Sequence, residues 1–381
     1  MKRVGERSHT LTRREVLAGA LAVSVAAACG PAAAPGPSAA SGTPAPATPA
    51  PKTKISVGFG IALGNPSNPF AWIGKELGYF DEENIDPDII STSGNTAQAD
   101  AMLASNQLDV GIFGLDPILR AVIAGSPFPA QSVFNVQSKV QYELFTVGTN
   151  PNVKTYADFK GKKVAVAEIG GTADPYLTEA LKVAGLTLKD VTEVATGIGV
   201  PMGEALRRGD ADVGISTRGQ IGPVETAGTY NLTFLPRPPF FDSIISGNMV
   251  ARSDLNPAKE AALKGYMRAY AKAIVFTKAN PEAAIKANWK MFPEAKPKGV
   301  ADDVALKAAV TTNTNYMSYI DKLEGKWGFM PTEKMTAYVK FLGLDSPKLG
   351  DISKYWTNKY IDFANNFDEN KVKEQARNYK P

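Results

Sequence analysis

The sequence predicts an α/β chain folded as two doubly wound lobes joined by two extended hinge segments. Three observations predict it. Strand-like and helix-like stretches alternate from Lys54 onward, the pattern of parallel βαβ units. The same plan restarts near Lys162. A short stretch also recurs: residues 102–112 and 205–215 each carry a helix into a polar turn and open a strand with Asp-Val-Gly-Ile.

The first 28 residues are read as an export signal. Thr12-Arg13-Arg14-Glu15-Val16-Leu17 resembles a twin-arginine signal, and an uncharged apolar run follows over 16–28. That run is too short for a hydrocarbon core, which needs roughly 20 apolar residues, but it has the length of a signal h-region. It ends in small residues before Cys29, the only cysteine. The combination resembles a bacterial lipoprotein signal, which implies lipidation at Cys29 and a membrane anchor. Residues 30–51 hold seven prolines and no charge. They read as a tether stiffened toward polyproline II rather than as core, so 29–52 is lipidated cysteine plus tether.

The first lobe is expected over 53–145. Residues 55–60 form a strand, 65–70 a turn-rich loop, and 70–80 a helix with apolar residues at Phe70, Ile73, Leu77 and Phe80. A strand at 88–92, a helix at 96–106, a strand at 109–113 and a helix at 117–124 follow. The second lobe is expected over 146–243. It has strands at 162–167, 191–194 and 211–215 and helices at 172–184 and 201–208. Residues 142–147 and 242–246 alternate without helix signals and read as the links between lobes. The chain then returns to the first lobe over 244–381, with helices at 257–277, 281–291, 301–320 and 331–342 and a looser tail. Two crossings make a hinge.

Charge and composition exclude several functions. Residues 1–28 carry five of the basic and two of the acidic side chains, so the formal +4 of the whole chain falls to +1 from Cys29 onward. That leaves no argument for nucleic acid. The one histidine is His9, inside the signal. No imidazole therefore remains for a Ser-His-Asp site or a histidine-ligated zinc. No catalysis, cofactor or metal is expected. Tyr266 and Tyr270 share a helix face and read as packing.

Ala71-Trp72-Ile73-Gly74-Lys75-Glu76-Leu77-Gly78-Tyr79-Phe80, followed by Glu82-Glu83-Asn84-Ile85, resembles the signature of the NMT1/THI5-like solute-binding proteins of ABC importers. That family includes sulfonate, taurine and nitrate binders. Residues 108–111 with Pro117 and Gly125, residues 158–166 and residues 206–213 extend the resemblance over roughly 54–275. Family members carry Gly where Asn84 stands, and Asn tolerates left-handed backbone. The resemblance implies a type II periplasmic-binding-protein fold and a small-molecule solute held between two lobes. It also implies permease and ATPase subunits as partners and no chemistry. A fungal branch of the family consumes its own histidine, which the chain beyond His9 lacks.

In open α/β sheets ligands sit outside the carboxyl ends of strands. That rule selects Asn68 and Phe70, Gly94 and Asn95, Leu115 and Asp116, Gly170, Gly171, Thr172 and Ala173, and Thr217 and Arg218. The Gly170–Ala173 turn presents helix N–H groups to an anion, or is an ordinary N-cap. Arg218 is placed to clamp a carboxylate or sulfonate, or else forms a salt bridge. Asp116 would hold an amine or a pyrimidine amino group, or cap the helix at Pro117. Phe70, Tyr142, Phe240 and Phe241 would stack on a ring, or lie in the core. The expectation is a lipid-anchored, extracytoplasmic, monomeric receptor for a small organic anion, a sulfonate or an aromatic carboxylate. The alternatives are a thiamine-pyrimidine or flavin-like heterocycle, or a ligand-presenting sensor.

Overall fold

The computed structural model describes residues 51–92, 96–148, 152–227 and 229–381. The export signal, Cys29, nearly all of the tether, and Gly94 and Asn95 lie outside the described residues.

The first sheet begins with β1 (Thr53–Phe59), whose alternate residues Ile55, Val57 and Phe59 are buried. The helix expected over 70–80 is not continuous. A short turn of helix over Pro69–Ala71 gives way to successive turns, which end where Gly78 goes left-handed at φ 78. Tyr79 N–H bonds Gly74 C=O at 2.8 Å and Gly78 N–H bonds Lys75 C=O at 3.3 Å, a Schellman ending. Only then does α1 (Tyr79–Glu82) begin. The apolar spacing was right, but a glycine able to reverse the backbone cuts the helix. Asn84 takes φ 52, as expected of a residue in a glycine's place.

Next come β2 (Ile85–Ser91), α2 (Thr96–Ala104), β3 (Val110–Phe113), α3 (Asp116–Ala124) and β4 (Ala130–Asn135). β2 holds Pro87, which an edge strand tolerates. The expected links are only partly links: β5 (Tyr142–Val147) is a full strand of the second sheet, antiparallel to a later strand. The rest of that sheet is built from β6 (Lys163–Val166), α4 (Asp174–Lys182), β7 (Thr192–Ala195), α5 (Val200–Arg208), β8 (Val213–Thr217), α6 (Arg218–Thr226) and β9 (Leu232–Phe234). The chain then returns as β10 (Asn248–Arg252).

The sheets run in the orders β2-β1-β3-β10-β4 and β7-β6-β8-β5-β9. They are the same arrangement twice. In each, the antiparallel strand is the first one laid down after the chain arrives from the other lobe. The crossings lie between β4 and β5 and between β9 and β10, and they touch. Val136 N–H bonds Gly247 C=O at 2.9 Å, and Ser246 N–H bonds Gln137 C=O at 3.1 Å.

Helix α7 (Pro257–Ala279) covers the first sheet and α8 (Pro281–Met291) packs against α7, starting behind Asn256 and Asn280, whose side chains cap them. Tyr266 and Tyr270 of α7 are core residues. Then follow α9 (Asp302–Met317), α10 (Thr332–Phe341), α11 (Ile361–Ala364) and α12 (Glu369–Asn378). The tail is not loose: α12 packs on α7 through Val372 and Ala376, and Trp356 bridges to Ser132 at the edge of β4. Helix α9 packs on α8 and also on α6 of the second lobe.

Candidate functional site

The carboxyl ends of β3 and β6 bring several of the expected residues together. Asp116 opens α3, with Arg120 Nε 3.9 Å from its Oδ2. Tyr142 opens β5, and its hydroxyl shares a hydrogen bond with Thr172 Oγ1 at 3.0 Å. Burial pushes the Tyr142 phenol up to about 12. Burial also holds the Asp116 carboxyl above its ordinary range. Gly170 takes φ 75, and a side chain at Gly171 would meet Glu168 within 2.6 Å, so this turn needs its glycines.

Sequence reasoning missed three members of this group, Tyr176, Asp100 and Tyr338. Tyr176 stacks on Tyr142 with ring centroids 4.0 Å apart. Its hydroxyl lies beside the side chains of Ser246 and Tyr338. Asp100 of α2 has its carboxyl raised to about 7, first by burial and then by the charge of Asp116, and its Oδ1 is buried without a partner. A Cβ at Gly114 would lie 2.4 Å from Asp116 Oδ1 and 2.7 Å from the Tyr338 hydroxyl. That glycine lets the carboxylate and the phenol converge. Asp100 stands just past the loop after β2, so the strand-end rule reaches its neighbourhood. Tyr338 comes from α10, and no local pattern points to it.

This group is acidic and aromatic. Asp174 sits in the first turn of α4, where an anionic ligand would sit. Its Oδ1 is buried without a partner, and burial followed by the charge of Asp174 raises Glu193. Among the described residues, no group of His, Cys, Asp and Glu is arranged to hold a metal ion.

The remaining expected residues lie elsewhere. Ala173 is the buried cap of α4 and Leu115 is core. Phe70 is core, edge-on to Tyr270 at 5.3 Å, and Phe241 is core, edge-on to Tyr176 at 5.8 Å. Phe240 packs against Phe341. Of the four aromatics expected to stack on a ligand, Phe70, Phe240 and Phe241 are thus spent on packing. Thr217 caps α6 without a side-chain bond. Arg218 is 8 % exposed, bound to Glu225 at 2.5 Å and lying over the Phe234 ring at 4.3 Å. Its guanidinium is engaged, so the salt-bridge alternative describes it. Asn68 is buried in a second polar group, donating to the Tyr316 hydroxyl at 3.2 Å.

A family model described as NMT1/THI5 like matches residues 65–284. A search of curated proteins returns no match. Among solved structures, the aliphatic sulphonate-binding protein SsuA of Escherichia coli is similar at 17% identity. The match covers 81% of this chain and 99% of that one with a TM-score of 0.56. The nitrate-binding protein NrtA of Synechocystis PCC 6803 is similar at 14% identity, over 87% of this chain and 99% of that one, with a TM-score of 0.57. A Candida albicans protein described as having the generic periplasmic binding protein fold is similar at 13% identity. That match covers 81% of this chain and 97% of that one, with a TM-score of 0.58. At these identities the likeness shows the fold, two α/β lobes of periplasmic-binding type.

Proposed function

The chain belongs to the NMT1/THI5-like family, and from that premise we propose that it is the extracytoplasmic solute-binding component of an ABC importer. It captures one small molecule between its lobes and presents the closed form to permease and ATPase subunits. Closure follows because a solute touching both lobes stabilises only the closed population. Export and a lipid at Cys29 hold this monomeric receptor at the outer face of the membrane, with residues 30–51 as its tether. It carries out no catalysis.

The solute is read from the charge of the cleft. The expected small organic anion, a sulfonate or aromatic carboxylate, is supported by the Gly170–Gly171 turn and the start of α4. Against it stand the Asp174 carboxylate in that first turn and the pairing of Arg218 with Glu225. The observation that carries the reading is the convergence of Asp100 and Asp116 beside Tyr142, Tyr176 and Tyr338. Carboxyl groups among phenol rings suit a heterocycle bearing hydrogen-bond donors, such as an amino-substituted pyrimidine. A thermal-shift panel on the full chain carrying Cys29→Ser tests both classes, since a bound solute raises the midpoint by mass action. Aminopyrimidines are expected to raise it and sulfonates to leave it unchanged. Asp116→Asn should reduce that response by tenfold or more in apparent affinity, the loss of about 1.4 kcal/mol. A shift with sulfonates that Asp116→Asn leaves intact would restore the anion reading.

A further inference from the structure

The second polar group carries an inference that rests on the two-lobed receptor reading and extends it to how the lobes are set. Tyr316, near the end of α9, is buried, and its hydroxyl accepts two amide N–H bonds. One comes from Asn68 Nδ2 at 3.2 Å, in the loop after β1. The other comes from Gln137 Nε2 at 2.6 Å, on the outward crossing. The same Gln137 side chain accepts the Gly247 N–H of the return crossing at 2.8 Å. Its backbone N–H also bonds Gly247 C=O at 3.2 Å. One glutamine therefore spans both crossings and donates an amide N–H to one phenol.

The Tyr316 ring faces the second lobe. A Cβ placed at Gly219, in the first turn of α6, would lie 3.3 Å from it. One turn on, a Cβ at Gly222 would come within 2.6 Å of Thr312 Cγ2 on α9. Ser67 Oγ, beside Asn68, donates to Gly219 C=O at 3.5 Å. Small residues thus let α6 approach α9 closely at the point where Tyr316 holds the crossings. Asn68 Oδ1 and the Tyr270 hydroxyl are buried here without partners. No charged side chain takes part in the network, so geometry alone sets it.

We infer that Tyr316 is a positioning residue whose hydroxyl ties the Asn68 loop and both crossings to one point against α6, and so sets the resting separation of the lobes. Removing the hydroxyl leaves two buried amides without their acceptor, which costs more than the bonds themselves contribute. The crossings then relax and the population moves toward a wider cleft.

The test uses the full chain carrying Cys29→Ser, which has no other thiol. Cysteines replace Ala62 and Ile169, exposed residues in the loops after β1 and β6 that the receptor reading makes opposite lips of the cleft, and carry spin labels. Pulsed electron resonance then reads their separation without any solute. Tyr316→Phe, which keeps the ring, and Gln137→Met, which removes the donor from the crossing, are each expected to lengthen the mean separation by several ångströms and broaden its distribution. Unchanged distributions in the variants that fold overturn the inference, even if their melting temperature falls, because a packing role alone lowers Tm without moving the lips. A failed solute panel leaves this result standing, since no solute is needed to read it.

Discussion

The two sheets carry the same local device, and it is set in different surroundings. In the first, residues 102–109 end a helix with Asn106 at φ 62, Gln107 N–H on Met102 C=O at 2.8 Å, and Asp109 opening β3. In the second, residues 205–212 do the same with Gly209 at φ 78, Asp210 N–H on Ala205 C=O at 2.9 Å, and Asp212 opening β8. Each aspartate reaches across to the strand beside it: Asp109 accepts Ser56 N–H at 2.8 Å and Asp212 accepts Lys163 N–H at 2.9 Å. There the likeness ends. Asp109 is buried, takes the Ser56 hydroxyl at 3.0 Å, and pairs with Lys259 of α7 at 2.5 Å. Asp212 is half-buried and, among the described residues, forms no ion pair with a lysine. A shared sequence thus sets the turn, and the covering helix decides what the carboxylate is worth.

Substitutions can break that comparison. Asp109→Ala should cost the most, about 3 kcal/mol, because it leaves a buried N–H unmet and removes a largely desolvated partner from Lys259. Urea unfolding would read it against Asp212→Ala, which should cost about 1 kcal/mol. Equal losses would mean that α7 adds nothing to the first device. The glycine two residues on gives the next contrast. A Cβ at Gly111 would lie 1.9 Å from the Phe113 ring, whereas one at Gly214 would lie 3.1 Å from Leu206 and Phe145. Gly111→Ala should therefore cost about 2 kcal/mol by forcing the ring off its rotamer, and Gly214→Ala less than about 1 kcal/mol. The same unfolding midpoints check the order.

The smallest effect depends on pH and separates the lobes by charge. The Asp100 carboxyl is raised to about 7 in the folded chain, against roughly 4 when unfolded. Below pH 4 both states hold the proton and the group is silent. Between 4 and 7 the folded state keeps its proton while the unfolded state loses it, so stability falls as pH rises and the full penalty is reached above 7. Asp100→Asn, which cannot ionise, should then raise Tm by a few degrees at pH 8 and leave it unchanged at pH 4. Differential scanning calorimetry at the two values decides it. An equal gain at both would place the effect in packing rather than charge. A gain in stability with weakened solute capture is expected where a site holds like charges together for function.

Much of the fold was legible because it is local. The restart near Lys162 and the repeated Asp-Val-Gly-Ile turn follow from periodicity and from the residues that accept left-handed backbone. Asn84 taking a glycine's conformation was legible for the same reason. The cut at Gly78 was harder, because the apolar spacing on both sides of it fits one helix and only the backbone shows the reversal. Residues 142–147 had the right extended pattern, yet no local feature says that they pair with β8.

The candidate site divides along the same line. Strand ends pointed to Asp116 and Thr172, and a ring able to stack pointed to Tyr142; the chain does bring the three together. Phe70, Phe241 and Arg218 stood at equally good positions, but two pack into cores and the third is held by Glu225. By itself the sequence determined the order of elements, the twofold plan, the family, and the lack of imidazole beyond His9, since each depends on residue type and near neighbours. The tertiary structure alone decided which strand each lobe borrows after a crossing, which charges are already paired, and that Asp100, Asp116 and Tyr338 come together. Those outcomes are set by burial and by partners far away along the chain, and neither is encoded at the residue itself.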